Sequence, residues 1–334
     1  MNNEEIMISK PLENMSGGGY KVLSLCDGMS CGQIAFERAG IKVDKYYASE
    51  IKDIGIKVTK SNFPNTIHVG DVNKIKYANG ILYTDKGEYK TEIDIVIFGS
   101  PCQTFSIAMK SNLRVGLSNK EKSGLFIECN RILKEINPKY FFMENVARMK
   151  QDDEDFISKL MGVRPQRINS SVVSAQLRDR LYWTNIPTKD FDVDARVELQ
   201  DIIEHGYSNR NKSRALLVSD SRPLTTPLKM FHRYYSAGFT TLIFKSKQHF
   251  EDCKQHYDTY FKGLSAKEIE SLVDDSGDIS VYNGVRYMTQ RELERCQTVT
   301  SGYTQCLTRN EAADVLGDGW TVDVIVHILK GLVK

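Results

Sequence analysis

Long apolar runs are missing from this chain. No stretch of its 334 residues approaches the ~20 apolar positions of a membrane-spanning helix. The opening MNNEEIMISKPLENMSGGGY holds no apolar core of signal-peptide length. The expectation is a soluble, cytoplasmic protein. A charge excess is missing too: 45 Lys and Arg stand against 43 Asp and Glu, a net +2, so any nucleic-acid surface must be local. The Gly-x-Gly-x-x-Gly dinucleotide fingerprint is absent, which counts against a nicotinamide-dependent oxidoreductase. Seven cysteines, an odd number with no secretory signal, point to reduced thiols. The remainder is ordinary for a globular protein, 41% hydrophobic and 26% charged, at a length that gives one large or two modest domains.

What is there is a series of short apolar strands, several ending in a polar residue. Residues 1–19 read as a flexible lead-in set off by Gly17-Gly18-Gly19. Val22-Leu23-Ser24-Leu25 then runs into the turn Cys26-Asp27-Gly28-Met29-Ser30-Cys31-Gly32 and a helical stretch. Strand, glycine turn and helix is how a Rossmann-type fold brings backbone amides to a cofactor, although many α/β domains show as much. Tyr46-Tyr47-Ala48-Ser49 ends in Glu50, placed to bind ribose hydroxyls, and Ile67-His68-Val69-Gly70 leads to Asp71, suited to accept from an adenine amino group. Each acid alone also reads as a helix cap or a solvated loop residue; together they mark strand ends along one cleft.

Ile95-Val96-Ile97-Phe98 stops abruptly at Gly99-Ser100-Pro101, with Cys102 at the tip and Gln103 behind it. That is where an α/β protein presents a nucleophile; the plain alternative is a buried thiol used as a small hydrophobe. A polar loop through Lys110, Asn112 and Arg114 has the length of a lid, and Ser123 is expected to cap the next helix. Tyr140-Phe141-Phe142-Met143 ends in Glu144-Asn145-Val146, and a carboxyl group straight after four apolar residues reads either as a partly buried acid of a site or as one that emerges into solvent or caps the next helix. In Gln176-Leu177-Arg178-Asp179-Arg180, strand alternation puts Gln176, Arg178 and Arg180 on one face, either of a site or of a basic edge strand. Thr84-Asp85-Lys86-Gly87 signals a hairpin, and Thr289 with Glu292 forms a capping box.

From about 188 to 285 the pattern is irregular. Basic and aromatic residues interleave (Arg210, Lys212, Arg214, Lys229, Phe231, His232, Arg233, Tyr234, Tyr235), as on a nucleic-acid face or in an ordinary loop region. His249, Cys253 and His256 share a helical face with metal-ligand chemistry but no evident fourth ligand, so the face is read as packing and no metal is expected.

These motifs together resemble the DNA (cytosine-5)-methyltransferases over about residues 20–187 and 284–333. The resemblance rests on Leu-Ser-Leu-Cys-Asp-Gly, Ala-Ser-Glu, Val-Gly-Asp-Val, Gly-Ser-Pro-Cys-Gln with Phe105-Ser106, Glu-Asn-Val, Gln-x-Arg-x-Arg, and the helix from Arg286 to Gln297. Gly317-Asp318-Gly319-Trp320-Thr321-Val322 is similar to the animal de novo enzymes of that family. The resemblance implies an α/β, Rossmann-like S-adenosylmethionine-dependent domain over 20–187, a smaller, irregular target-recognition domain over 188–285, and a segment, 286–334, that returns to the first domain. It implies S-adenosyl-L-methionine in a pocket of Cys26, Asp27, Gly28, Gly32, Glu50, Ile51, Asp71, Val72, Ser100, Pro101, Trp320 and Val322. Catalysis would fall to Cys102 as nucleophile, Glu144 gripping the cytosine ring, Arg178 on its carbonyl oxygen and Arg180 beside it. Gln103, Ser106, Asn145 and Gln176 would face the substrate, double-stranded DNA. One departure stands out: the family carries phenylalanine where this chain has Cys26. The compact chain points to a bacterial or phage source. Neither target sequence, self-association nor a partner restriction endonuclease is legible. An RNA cytosine methyltransferase or an inactive accessory homologue are the alternatives.

Overall fold

The computed structural model describes residues 18–99, 120–191, 197–216, 224, 226–238, 240–275 and 279–333. Ser100, Pro101, Cys102, Gln103 and Ser106 therefore lie outside the described residues, as does the expected lid.

The apolar runs become the strands of a seven-stranded sheet. Five are parallel: β1 (Tyr20–Leu25), β2 (Val43–Ser49), β3 (Ile67–His68), β7 (Ile95–Gly99) and β8 (Tyr140–Val146). Two antiparallel strands, β9 (Gln166–Asn169) and β11 (Asp179–Thr184), complete the order β3-β2-β1-β7-β8-β11-β9. From β1 the chain first moves outward through β2 and β3, then returns to place β7 on the other side of β1. That reversal is a topological switch point, where an open α/β sheet leaves a crevice beyond its carboxyl ends.

Both faces of the sheet are covered, and strand alternation decides which residue goes where. Val22, Ile95, Ile97 and Phe142 pack into one core with α1 (Cys31–Arg38) and the C-terminal helices. Leu23, Leu25, Val96, Phe98 and Met143 pack into the other with α3 (Lys120–Ile136) and α4 (Gln151–Met161). The helix α3 already runs at Lys120, so Ser123 lies in its first turn rather than capping it; the intervening Glu and Lys are good helix formers. The expected hairpin is present as β5 (Ile81–Thr84) and β6 (Gly87–Lys90), joined through Asp85-Lys86, with β4 (Lys76–Ala78) beside it.

A third core gathers Phe231, Phe244, Tyr257 and Tyr282, all within the irregular stretch. It absorbs much of the expected basic-aromatic surface. Phe231 and Tyr234 are buried. Lys212 Nζ donates to the carbonyls of Ser171, Ser174 and Val197 at 2.9, 2.9 and 2.7 Å. Arg210 and Arg214 both donate to Gly238 O, and Arg210 lies over the Tyr234 ring. On the helix Lys247–Tyr260, His249 Nε2 and Cys253 Sγ meet Val281 O at 2.8 and 3.2 Å, and His256 meets the Tyr282 hydroxyl at 3.1 Å. These three side chains pack that helix onto the segment opposite.

The capping box at Thr289 forms, and its acid does more than cap. Glu292 accepts from Thr289 N at 2.8 Å, from Arg286 at 2.8 and 2.9 Å, and from Glu204 N at 2.8 Å. A single buried carboxylate thus ties the helix Gln290–Cys296 to the residues leading into it and to the distant segment at Glu204.

Gly32 is packed rather than merely flexible. A Cβ there would lie 2.6 Å from Tyr46 Oη and 2.6 Å from Ile97 Cδ1, both fixed in the sheet core. Gly32→Ala is expected to destabilise the protein by about 1–3 kcal/mol despite alanine's better helix propensity. Urea unfolding measures this; equal or greater stability contradicts the packing role.

Candidate active site

A cavity of about 250 Å³ opens at the switch point. Its floor is the turn after β1, where Cys26, Gly28 and Ser30 all take left-handed backbone angles (φ 54°, 61° and 61°). A Cβ on Gly28 would meet nothing within 4 Å, so the turn leaves open space there for a ligand to approach the backbone. Beyond β2 come Glu50, Ile51 and Lys52; beyond β3, Asp71, Val72 and Asn73. Gly99 ends β7, Glu144 stands near the end of β8, and Leu125 contributes from α3. The last wall comes from the far end of the chain: Val315, Gly317, Asp318, Gly319 and Trp320.

The structure thus gathers Cys26, Asp27, Gly28, Glu50, Ile51, Asp71, Val72, Glu144, Arg178, Arg180 and Trp320 around one space. Four other expected residues lie elsewhere. Gly32 is taken up by helix-to-sheet packing. Val322 is buried in the core at the start of the C-terminal helix Val322–Leu329. Asn145 is buried one residue beyond Glu144, so the pleat sends its side chain to the opposite face, where its Oδ1 accepts from Val146 N at 2.8 Å. Gln176 is buried, donating to Cys296 O at 3.2 Å and accepting from Leu216 N at 3.4 Å. The expected alternation fails here because the strand is broken: β10 (Gln176–Leu177) pairs with β12 (Ser213–Arg214) in a separate ribbon, and Arg178 sits between it and β11.

The two arginines consequently do different things. Arg180 Nε pairs with Glu144 Oε1 at 2.6 Å, both side chains being largely buried. Arg178 donates to Gly317 O at 3.2 Å and Gly319 O at 2.7 Å, clamping the far wall. Cys31 Sγ donates to Trp320 O at 3.6 Å, and Phe142 packs on the Trp320 ring at 4.9 Å. Gly99 permits this closeness, because a Cβ there would lie 2.8 Å from Trp320 Nε1. The glycines at 99, 317 and 319 are wall residues that motif reading passed over; what marks them is their position at a strand end and around Trp320.

Both strand-end acids are engaged by backbone. Glu50 accepts from Gly28 N, Ile51 N and Lys52 N, each at 2.8 Å, and Asp71 accepts from Asn73 N at 2.9 Å. These bonds fix the carboxylates at the rim of the cavity. Cys31 also lines the cavity, but burial pushes its thiol up to about 12, so it is no nucleophile at neutral pH. Among the described residues no group of His, Cys, Asp and Glu has the geometry of a metal site, and no helix is long and apolar enough to cross a membrane.

A doubly wound sheet of this order, with an acid-edged cavity at its switch point, defines a Rossmann-like fold. The profile of the C-5 cytosine-specific DNA methylase family matches residues 20–334, and the chain belongs to that family. The type II methyltransferase M.NgoBV of Neisseria gonorrhoeae is 29% identical over 279 residues, 76% of this chain and 60% of that protein. The type II methyltransferase M1.ScrFI of Lactococcus lactis subsp. cremoris is 35% identical over 144 residues, 43% of this chain and 33% of that protein. The matches span between 33% and 60% of the length of these curated relatives. Solved structures share the fold: a DNMT2 variant of Spodoptera frugiperda has a TM-score of 0.61 at 18% identity, covering 94% of this chain and 100% of that one. The Entamoeba histolytica methyltransferase EhMeth has a TM-score of 0.61 at 15% identity, covering 94% and 98%.

Two predictions concern the cavity. Burial holds the Asp27 carboxyl above its ordinary value near 3.8, against hydrogen bonds from Ser30 and Tyr46. Between those two values the folded chain keeps a proton that the unfolded chain has lost. Its contribution to stability is therefore greatest below about 3.8 and falls as pH rises through the native value. Asp27→Asn removes that fall, so the slope of unfolding free energy against pH becomes more positive above pH ~4. Urea melts at a series of pH values measure it, and an unchanged slope contradicts the assignment.

Arg178→Met frees two carbonyls from a charged donor and is expected to cost about 2–4 kcal/mol. Because the chain has only two tryptophans, a Trp183→Phe background isolates Trp320. Its emission is expected to shift to the red as the far wall loosens. An unshifted emission contradicts the clamp.

Proposed function

We propose that this protein transfers a methyl group from S-adenosyl-L-methionine to carbon 5 of cytosine in double-stranded DNA. The observation that carries the reading is the row at the carboxyl edge of the sheet. Gly99 and Glu144 are register partners across β7 and β8, and Arg180 holds Glu144 from β11 beside the cavity. Cys102 follows Gly99 by three positions in the sequence, and its thiol is the nucleophile this reading assigns.

The lining suits the methyl donor. The Lys52–Asp318 pair at the rim cancels itself, and of the remaining lining four carboxyl groups (Asp27, Glu50, Asp71 and Glu144) face two cations (Arg178 and Arg180), a balance that favours a ligand bearing a sulfonium and an ammonium. Glu50 would hold the ribose hydroxyls and Asp71 the adenine amino group, with Ile51, Val72 and Cys26 flanking the base. Trp320 presents an indole face to positive charge. When bound, the donor supplies an electrophilic methyl group.

The rest is the work of this chain on cytosine. Carbon 5 is a weak nucleophile until a thiolate adds at carbon 6 and turns the ring into an enamine. Cys102 is the proposed thiolate. Glu144, holding a proton at ring nitrogen 3, stabilises the charge that develops during attack. Arg180 orients Glu144 and is the guanidinium next to the base; Arg178, occupied by Gly317 and Gly319, is assigned to the wall instead of the carbonyl oxygen. Carbon 5 of the enamine takes the methyl group, a base such as water then removes the carbon-5 proton, and the electron pair left behind restores the ring double bond and expels the thiolate. Because the base edge is inaccessible in a stacked duplex, the nucleotide must leave the helix. Residues 188–285, with the third core, are proposed as the DNA-reading domain.

The test is incubation with tritiated-methyl S-adenosylmethionine and a mixed-sequence DNA duplex, beside a duplex RNA of matched length. Label is expected in DNA alone. Cys102→Ala should abolish it, and Glu144→Gln should lower the single-turnover rate by ~10²-fold or more. Label in RNA but not DNA contradicts the substrate, and label surviving in Cys102→Ala contradicts the nucleophile.

A further inference from the structure

Lys52 Nζ donates to Asp318 Oδ2 at 2.7 Å, and both residues line the cavity. Their side chains are 58% and 54% exposed, which puts the pair at the rim rather than on the floor. The two come from opposite walls and from positions 266 residues apart: Lys52 precedes α2 (Asp53–Asn62), and Asp318 ends the helix Arg309–Asp318. Each wall is fixed independently of the bridge. On one side Glu50 accepts the amides of Ile51 and Lys52. On the other, Arg178 holds the carbonyls on both sides of Asp318, and Gln297 Nε2 holds Leu316 O at 2.5 Å. The pair joins the two walls through side chains alone, so it can part while the backbone bonds that fix each wall stay in place.

We propose that the Lys52–Asp318 ion pair is a latch across the mouth of the cavity that sets how fast S-adenosylmethionine enters and its demethylated product leaves. The proposal rests on reading the cavity as the S-adenosylmethionine site. Burial works against the Lys52 charge, but Asp318, Glu50 and Asp314 outweigh it and keep the ammonium on. An exposed ion pair is weak and screened by salt, which is what a latch that must open in every turnover requires. Ile51, 69% exposed beside Lys52, supplies apolar cover at the same rim. Product release limits turnover in many enzymes, so a rim contact of this kind reaches kcat without touching the reacting atoms.

The experiment is stopped-flow binding of S-adenosylmethionine and S-adenosylhomocysteine to the full chain, followed by Trp320 emission in the Trp183→Phe background. Lys52→Met and Asp318→Asn are each expected to raise association and dissociation rates together by about two- to five-fold, the factor that one exposed ion pair allows, leaving Kd nearly unchanged. Raising salt should speed exchange in the parent and not in these variants. The exchanged pair, Lys52→Asp with Asp318→Lys, should restore slow, salt-sensitive exchange. Unchanged rates in both single variants overturn the latch, as does a rise in dissociation alone that is matched by Kd, because that marks an ordinary ligand contact. Failure of the parent to bind either compound overturns the reading of the cavity, and the latch with it.

Discussion

Everything at this site depends on bringing residues almost three hundred positions apart against one another. The turn after β1 lays the floor of the cavity, but the wall facing it is made by Gly317, Asp318, Gly319 and Trp320. That wall has no strand pairing to hold it. It is kept by point contacts instead: Arg178 on two glycine carbonyls, Gln297 on Leu316 O, Cys31 on Trp320 O, and the Phe142 ring against the indole. Behind these, the C-terminal helix packs its buried apolar residues into the same core as α1 and the inner face of the sheet. A cavity closed in this way forms only when the chain is complete in space, which couples ligand binding to the global fold.

The second dependence is electrostatic. Glu144 stands near the end of a central strand where burial penalises a lone carboxylate, and Arg180 compensates at 2.6 Å. Because β8 and β11 are register partners, the backbone sets the spacing of this pair in advance. The acid is thereby held in one orientation beside the cavity, which a catalytic carboxyl group needs and a solvated one lacks. Arg178, two residues away, lies outside the strand and turns to the wall. Two identical side chains in one short motif thus divide between positioning an acid and building a pocket.

Strand ends were the legible part of the sequence. Short apolar runs closed by glycine or an acid gave β1, β2, β3, β7 and β8, and the acids that follow β2 and β3 do reach the cavity. The hairpin at Asp85-Lys86 and the capping box at Thr289 were readable because turn and cap chemistry is local. What failed was non-local. Alternation predicts a shared face for Gln176, Arg178 and Arg180 only if the strand is continuous, and the break between β10 and β11 is set by pairing with a segment some forty residues later. Gly32 and Gly28 look alike in a glycine turn, yet one is pressed against Tyr46 and Ile97 while the other faces open space. The interleaved basic and aromatic residues of 188–285 carried no sign of which would be buried; the third core takes Phe231 and Tyr234 inward.

The central claim is covalent catalysis on cytosine by the thiol that follows β7. The most direct measurement is intact-mass analysis after incubation with S-adenosylmethionine and a duplex in which cytosine carries fluorine at carbon 5. Fluorine cannot leave as a proton does, so once the methyl group is added the bond from Cys102 to carbon 6 has no route to break. The account predicts a stable protein–DNA adduct that carries one methyl group, maps to the peptide containing Cys102 and is absent from Cys102→Ser. Methylation of ordinary cytosine with no adduct on the fluorinated duplex, or an adduct mapped to another cysteine, would contradict it.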